Sequence, residues 1–512
     1  MVVFEKLTTM LQDLFDIQMI LVTVVVFICI YWMIQRLQNT KHTNLPPGPR
    51  GLLLIQNLIG LANPTTFQTL RSLAGKYGDV FSLYLGQQLI VVLNSYETIH
   101  EALVKNSDSF SERPQLPVKL GTLNTGVVLA NGKPWKFKRK MFISALRTFG
   151  MGKSVMQERI LDEVQHLLIE FEDHHGGPFD PIAHVTNSVY NVICSITIGE
   201  RFDYTDERFV KCMNCLDTLF NLAPTYFGIG FLFPGSGRLL DIFLGPKQTR
   251  NNTLIYELIE PFIKEHDQTY DPNNLRDLID AFLKMEKEWN QQYPNESMGD
   301  RGLNFKYYQI YGLILDTFGA GTETTTTTLL WGLLFLVKNP NVQSKIQDEL
   351  DTIVGRNRSP KVCDKPNLPY TEATITEILR MASTVPLSIP RWTACDTTVS
   401  GYDIPKDTFV WPNIYSVLHD PIRWSNPDQF NPDRFLDSHG KFVRPDVFIP
   451  FGSGSRVCLG EQLAKMKLFL ILSSIVQKYN LVIDEKYPLP PIEARMHLTL
   501  QPPRYKLRAI KR

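Results

Sequence analysis

The chain has almost no net charge, since 53 lysines and arginines stand against 52 aspartates and glutamates. That balance gives no support to a polyanionic partner, and nucleic acid is not expected as a ligand. Cysteine is also scarce: Cys29, Cys194, Cys212, Cys215, Cys363, Cys395 and Cys458 make seven in 512 residues, an odd number without the dense spacing of a disulfide framework. A reducing compartment follows. Cys212 and Cys215 form a CxxC, but no second CxxC or histidine pair accompanies it and its neighbours have helical periodicity, which disfavours zinc or redox chemistry there. There is no long Gly/Ser or Pro/Gln tract, no repeat of fixed period and no charge block dividing the chain. A length that allows three domains of ~150 residues therefore reads as one large catalytic domain. Phosphate loops are missing too. Residues 319–324 lack the third glycine of a dinucleotide loop and lie in a helical stretch, and no GxxxxGKS/T occurs. His100-Glu101 is followed by Val104 where a zinc protease needs histidine.

One long apolar run is present. Residues 17–34 (IQMILVTVVVFICIYWMI) are interrupted only by Gln18 and Thr23, and at ~1.5 Å per residue a helix there nearly crosses a bilayer core. Sixteen residues precede it, Tyr31 and Trp32 sit at its end, and no small-residue cleavage pattern follows, so an uncleaved anchor is preferred over a signal peptide. Glu5, Asp13 and Asp16 lie before the run and Arg36, Lys41 and Arg50 after it, which leaves the bulk of the protein cytosolic. The sequons at Asn251 and Asn295 are then expected to be unglycosylated. Three prolines in Leu45-Pro46-Pro47-Gly48-Pro49-Arg50 make a stiff break. The expected division is an N-terminal segment 1–36 holding the anchor, a basic, proline-rich hinge 37–51, and a catalytic domain 52–512.

Within that domain, residues 80–93 and 397–411 alternate and carry β-branched residues, which predicts short strands. Residues 158–172, 254–264, 305–338, 342–354, 371–381 and 460–478 have helical periodicity. The fold class is mainly α with a small β part. The apolar, loop-like stretch 227–243 reads equally as a membrane-touching loop or as buried core.

The chemistry is concentrated in Phe451-Gly452-Ser453-Gly454-Ser455-Arg456-Val457-Cys458-Leu459-Gly460, followed by an apolar helix. A thiolate is a strong donor to iron but needs backbone N–H groups to stay ionised. Gly454 and Gly460 let a loop turn tightly beside a flat macrocycle, the following helix aims its N-terminus at the sulfur, and Arg456 can reach a haem propionate. A lone cysteine in a glycine-rich turn would ordinarily be only a buried thiol. Here the whole FxxGxRxCxG is present, and it resembles the haem-binding loop of the cytochromes P450.

Other parts of that family's pattern recur in order over almost the whole chain. Glu377 and Arg380 form an ExxR, one turn apart on a helix, and Asn431-Pro432-Asp433-Arg434-Phe435 resembles the region whose arginine, here Arg434, completes their structural network. Ala320-Gly321-Thr322-Glu323-Thr324-Thr325 looks like the oxygen-activation motif. Its expected roles are room for dioxygen at Gly321, a hydroxyl at Thr324 that holds a water or the bound oxygen, and a proton-supplying carboxylate at Glu323. Threonines 324–328 are poor helix formers, which points to function or packing.

The resemblance implies a cytochrome P450 fold behind a single transmembrane helix. It also implies an iron of haem b ligated by Cys458, with Trp135, Arg139, Arg113, Arg391 and Arg456 at the propionates and Phe451, Gly454 and Gly460 in the loop. The implied pocket includes Phe318, Ala320, Val385, Leu387, Ile389 and Leu498, with the regions 115–129 and 219–233, and is lined for a lipophilic steroid, fatty acid or xenobiotic. Dioxygen is the implied cosubstrate and NADPH the ultimate electron source, through NADPH–cytochrome P450 reductase, with cytochrome b5 a second donor. A basic rim of Lys133, Lys136, Lys138 and Lys140 is expected to dock that donor. Location in the endoplasmic reticulum membrane is implied as well. The rivals are a haem-thiolate isomerase or dehydratase that needs no external electrons, and a non-catalytic haem carrier or sensor. The Glu323/Thr324 pair separates them, because a carrier has no need of proton delivery.

Overall fold

The computed structural model describes residue 23 and residues 44–49, 66–85, 88–114, 125–148, 154–218, 245–294, 306–491, 493–496 and 499–512. Apart from Thr23, the expected anchor at 17–34 lies outside these residues, as do the stretch 227–243 and Leu498. Among the described residues no helix is long and apolar enough to cross a membrane.

The principal helices in chain order are α1 (Thr66–Tyr77), α2 (Gly132–Thr148), α3 (Ser154–Glu172), α4 (Ile182–Thr197), α5 (Gly245–Gln268), α6 (Leu278–Gln292), α7 (Lys306–Lys338), α8 (Pro340–Ile353), α9 (Pro369–Ala382) and α10 (Glu461–Lys478). The strands are β1 (Val80–Leu85), β2 (Gln88–Leu93), β3 (Arg391–Trp392), β4 (Thr397–Val399), β5 (Tyr402–Ile404), β6 (Phe409–Pro412), β7 (Tyr479–Val482), β8 (Arg495–Met496), β9 (Leu500–Gln501) and β10 (Arg508–Lys511). One sheet runs β1-β2-β6-β3, with β2 parallel to β6 and the other pairs antiparallel; the remaining strands pair as β7 with β10, β4 with β5, and β8 with β9. The reading of mainly helix with a little sheet matches this arrangement. The alternating stretch 397–411 is divided between two sheets, because β4 and β5 pair with each other whereas β6 crosses to β2.

The long helix α7 is the axis of the core and touches α4, α5, α6, α8, α9 and α10. Ile310, Leu313, Ile314 and the run from Leu329 to Val337 are buried around its whole circumference, as befits a helix apolar on all sides. Two of its threonines are held by tertiary bonds. Thr327 Oγ1 pairs with Thr499 Oγ1 at 3.1 Å and Thr328 Oγ1 with Thr384 Oγ1 at 2.9 Å. These contacts offset the poor local propensity of a β-branched run.

The described part of the proline-rich hinge packs on the body. Ser82 donates through its Oγ to Pro46 O at 2.7 Å and through its backbone N–H to Pro47 O at 2.8 Å, and Asn44 Nδ2 donates to Gly401 O at 2.7 Å.

Glu377 and Arg380 on α9 are both 0 % exposed. Arg380 donates bidentately, Nε to Oε2 at 2.7 Å and Nη2 to Oε1 at 2.9 Å. Arg434 Nε reaches Oε1 at 3.0 Å and the Asn431 backbone N–H reaches the same oxygen at 2.9 Å. The outer arms of the arginines bind carbonyls, Arg380 that of Leu418 and Arg434 those of Ser425, Asn426 and Gln429. A buried ion cluster of this kind adds little net stability, but losing its carboxylate leaves two guanidinium groups uncompensated. Glu377→Ala is expected to cost about 3–5 kcal/mol, measured as a lower denaturation midpoint and a smaller yield of folded protein.

Candidate active site

The cysteine loop is shaped by its glycines and closed by its own backbone. Gly454 has φ +76° and a Cβ there would collide with Leu103 O, so only glycine fits. The Cys458 backbone N–H donates to Phe451 O at 3.0 Å, tying the two ends of the motif together. Gly460 caps α10, its carbonyl accepting from the Ala464 N–H at 2.8 Å. Cys458 keeps exposed surface although protein packed around its sulfur raises the thiol above its ordinary value. Surface left open within densely packed protein is what a sulfur lining an interior hollow would show. The Gly460 N–H and the charges of Arg139 and Lys467 act in the opposite direction and favour the thiolate.

Around the loop stand four arginines. Arg139 Nη2 donates to Val457 O at 2.7 Å, next to the cysteine. Arg456 lies over the Trp135 ring at 3.6 Å and donates through Nε to Ser111 O and through Nη2 to Ala130 O, both at 2.7 Å. Arg113 donates through Nη1 to Ile389 O at 2.8 Å and Pro390 O at 2.7 Å, and through Nε to Val128 O at 3.1 Å. Arg391, on β3, is 2 % exposed. Burial and the neighbouring guanidinium charges pull Arg456 down to about 8, Arg391 to about 9 and Arg113 well below its ordinary value. Arg391 Nε and Arg456 Nη1 are buried without a hydrogen-bond partner. Buried, mutually repelling cations with orphaned donors call for an anion, and the two propionates of a haem meet that demand.

Across from the loop runs α7. Ala320 is exposed in the middle of this otherwise buried helix. Thr324 Oγ1 donates to Ala320 O at 2.7 Å. Glu323 accepts from Thr499 Oγ1 at 2.7 Å and Gln501 Nε2 at 2.9 Å, so its carboxylate is held by the β9 end of the chain. Gly321 also has a packing role: a Cβ there would come within 2.8 Å of Ile193 Cδ1, so this glycine allows close packing of α7 on α4.

The remaining expected positions fall in several places. Ile389 is 38 % exposed and Val385 half-buried, while Leu387 is buried in the core beside the β1-β2-β6-β3 sheet. Phe318 turns to the α4 side, where it borders a small cavity with Tyr190, Cys194 and Phe202. Lys133, Lys136 and Lys140 are exposed on α2, and a cleft of about 650 Å³ runs along Lys136, Arg139, Lys140, Arg147 and Ser455. Lys138 is not part of that rim. It is buried and its Nζ donates to Thr125 O at 2.6 Å. Cys212 is pushed up to about 12 by burial, which keeps the CxxC thiols protonated and unreactive.

Sequence reasoning missed two charges in the interior, the half-buried Asp316 and the buried Lys467, each signalled by a charge in the middle of an apolar helical run, and it placed a third, Lys138, on the exposed rim. Asp316 Oδ2 accepts from the backbone N–H of Val127 at 2.5 Å and of Val128 at 2.8 Å, on the same turn whose carbonyls Lys138 holds.

A cysteine loop turned to an inner hollow, uncompensated guanidinium groups at its edge and a long helix across it define a haem-thiolate enzyme. The chain belongs to the cytochrome P450 family, whose family model, Cytochrome P450, matches residues 46–509. It is 37% identical to cytochrome P450 2U1 of Rattus norvegicus over 93% of this chain and 92% of the relative. It is 36% identical to cytochrome P450 2J5 of Mus musculus over 99% of both chains. Cytochrome P450 2C8 of Homo sapiens is 37% identical over 92% of this chain and 95% of its own. The enzyme is a cytochrome P450 monooxygenase, and haem iron, dioxygen, a redox partner and a small-molecule substrate go with the family.

Burial raises the Asp316 carboxyl from 3.8 to about 6. A folded value above the unfolded one means that the native state holds the proton more tightly, so this contribution to stability is full below about pH 4 and is lost as pH rises through about 6. Asp316→Asn keeps an oxygen for Val127 and Val128 and carries no charge. It is expected to flatten the stability profile between those values, measured by urea denaturation across pH, whereas Asp316→Ala is expected to cost ~2–4 kcal/mol by orphaning both N–H groups.

Proposed function

We propose that this enzyme inserts one atom of dioxygen into a lipophilic substrate, a steroid, fatty acid or xenobiotic, and draws its electrons from NADPH through NADPH–cytochrome P450 reductase, with cytochrome b5 as a second donor. Residues 17–34 anchor it in the endoplasmic reticulum membrane, residues 37–51 form the connection, and residues 52–512 carry the chemistry on the cytosolic side. The observation that carries the reading is a cysteine loop at Cys458 ringed by buried arginines with unpaired donors, in a chain that also holds the hydroxyl–carboxylate pair Thr324 and Glu323 on α7. An isomerase or a carrier has no use for that pair.

Haem b, bound in the hollow, supplies an iron centre that activates dioxygen and receives electron density from the thiolate. Everything else is done by the chain. The Gly460 N–H and the positive charge of Arg139 act against the burial that raises the Cys458 thiol, and so favour its ionised form on binding iron. Arg391 Nε and Arg456 Nη1, the donors without a protein partner, would hold the propionates, the Trp135 ring carries Arg456, and Arg113 fixes the backbone of Ile389 and Pro390. The Thr324 proton is already given to Ala320 O, so its oxygen offers lone pairs and accepts a hydrogen bond from the side of the hollow. Glu323 reaches a proton path by releasing Thr499 or Gln501. Ala320, Val385 and Ile389 select substrate by apolar shape. The cleft along Lys136, Lys140 and Arg147 gives an acidic electron-donor protein a basic seat beside the cysteine loop.

The ligand assignment is tested on the reduced enzyme with carbon monoxide. The wild type should give the strongly red-shifted haem band of thiolate ligation and Cys458→His should lose it; an unchanged band in the variant rejects the assignment. Proton delivery has its own test. Thr324→Ala should bind haem and substrate nearly as well as wild type yet consume electron donor with less product and more hydrogen peroxide. General acid–base groups are typically worth ~10²–10⁴-fold, less where water replaces part of the path. Wild-type coupling in both Thr324→Ala and Glu323→Ala would remove these residues from the proton path.

A further inference from the structure

Two donors converge on the same oxygen of Glu323. Thr499 Oγ1 lies 2.7 Å from Oε1 and Gln501 Nε2 lies 2.9 Å from it, and among the described residues no donor is bonded to Oε2. The carboxylate is therefore held at one oxygen and open at the other. The two donors sit in different surroundings. Thr499 is 1 % exposed, and its hydroxyl also pairs with Thr327 Oγ1 at 3.1 Å. The next residue, Leu500, is clamped on both sides: its N–H donates to Thr384 O at 2.9 Å and its carbonyl accepts from Trp331 Nε1 at 2.7 Å. Gln501 is half-buried, and among the described residues its amide is bonded to Glu323 alone.

These surroundings decide which bond can break. A hydroxyl let go at Thr499 stays in a place that water does not reach, and a buried polar group without its partner is costly. The Gln501 amide, on a longer and half-exposed side chain, can turn to water when it lets go. Thr384 precedes Val385 of the expected pocket wall, and its own hydroxyl is 2.9 Å from that of Thr328. Thr499 is thus braced both by α7 and by the segment that leads into the pocket.

We propose that Thr499 is a positioning residue of the monooxygenase reaction, the fixed pivot on which the Glu323 carboxylate turns, with Gln501 as the partner that lets go. The proposal rests on the reading of Glu323 as a proton-supplying group given above. Oε1 remains on the threonine hydroxyl, and the proton is taken up and given back at Oε2. Thr499 acts through Glu323 and does not itself carry the proton. Loss of the pivot and loss of the releasable partner therefore have different consequences, although both bonds end on one atom.

The test uses the haem-loaded full-length enzyme with reductase, NADPH and lauric acid as a lipophilic probe. Thr499→Val keeps the shape of the side chain and removes its hydroxyl. In that variant the partition of consumed dioxygen between hydrogen peroxide and the cleaved products, water and oxidised probe, should shift about tenfold toward peroxide, the worth of one hydrogen bond to a charged group. Thr499→Ser should restore the wild-type partition, and Gln501→Leu should shift it less than Thr499→Val. Thr499→Ala carries the same expectation if the valine variant does not load haem. A second readout is independent of turnover. The carboxylate band of Glu323, isolated as the infrared difference between wild type and Glu323→Gln, should move in Thr499→Val and return in Thr499→Ser. A wild-type partition or an unmoved band in Thr499→Val, or a larger effect at Gln501 than at Thr499, would overturn the proposal. Wild-type coupling in Glu323→Gln, or a wild-type enzyme without the red-shifted carbon monoxide band, would instead overturn the reading on which it rests.

Discussion

Three cationic or polar arms converge on the single carboxylate of Glu377, and the cysteine side of the molecule hangs from that meeting point. Arg380 comes from the same helix, whereas Arg434 and the Asn431 N–H come from a segment more than fifty residues further on. By gripping the carbonyls of Leu418, Ser425, Asn426 and Gln429, the two arginines freeze an irregular stretch that has little hydrogen-bonded structure of its own. The loop holding Cys458 starts from there. A charged sulfur in an apolar helical protein is tolerable only if the backbone around it stays in place, and a network of ions largely shut off from solvent supplies that rigidity at the expense of desolvation.

The same economy governs the other side of the hollow. Arg113 and Arg456 each spend most of their donors on backbone carbonyls, while the remaining donor of Arg456 has no protein partner. Lys138 and Asp316 grip one turn, residues 125–128, from its carbonyl and N–H sides respectively. Charged side chains here serve as fasteners for chain that is neither helix nor strand, and the site's positive charge follows from that arrangement.

Much of this was legible in the sequence, and the division has a physical basis. The cysteine loop is contiguous, so its glycines, arginine and sulfur lie in one window, and the acidic and basic residues of α9 lie one turn apart. Long helices such as α7 and α10 announce themselves by period. What the sequence could not disclose was pairing across distance. Lys467 looks like a side chain whose tip reaches water from an apolar helix, and only the fold brings Gly321, 146 residues away, to its ammonium. Lys138 was grouped with its exposed neighbours for the same reason, since a lysine-rich stretch does not say which lysine turns inward. The packing of Gly321 against Ile193 on another helix is a pairing of the same kind.

That contact with Ile193 has a mechanical side. At Gly321 the helix backbone lies directly against the Ile193 side chain of α4, and at Gly312 any Cβ would collide with Thr125. Close-packed protein resists further compression. The compliance of the cavity is therefore directional, with α7 as a fixed anvil and adaptation to larger guests left to the loops that face it.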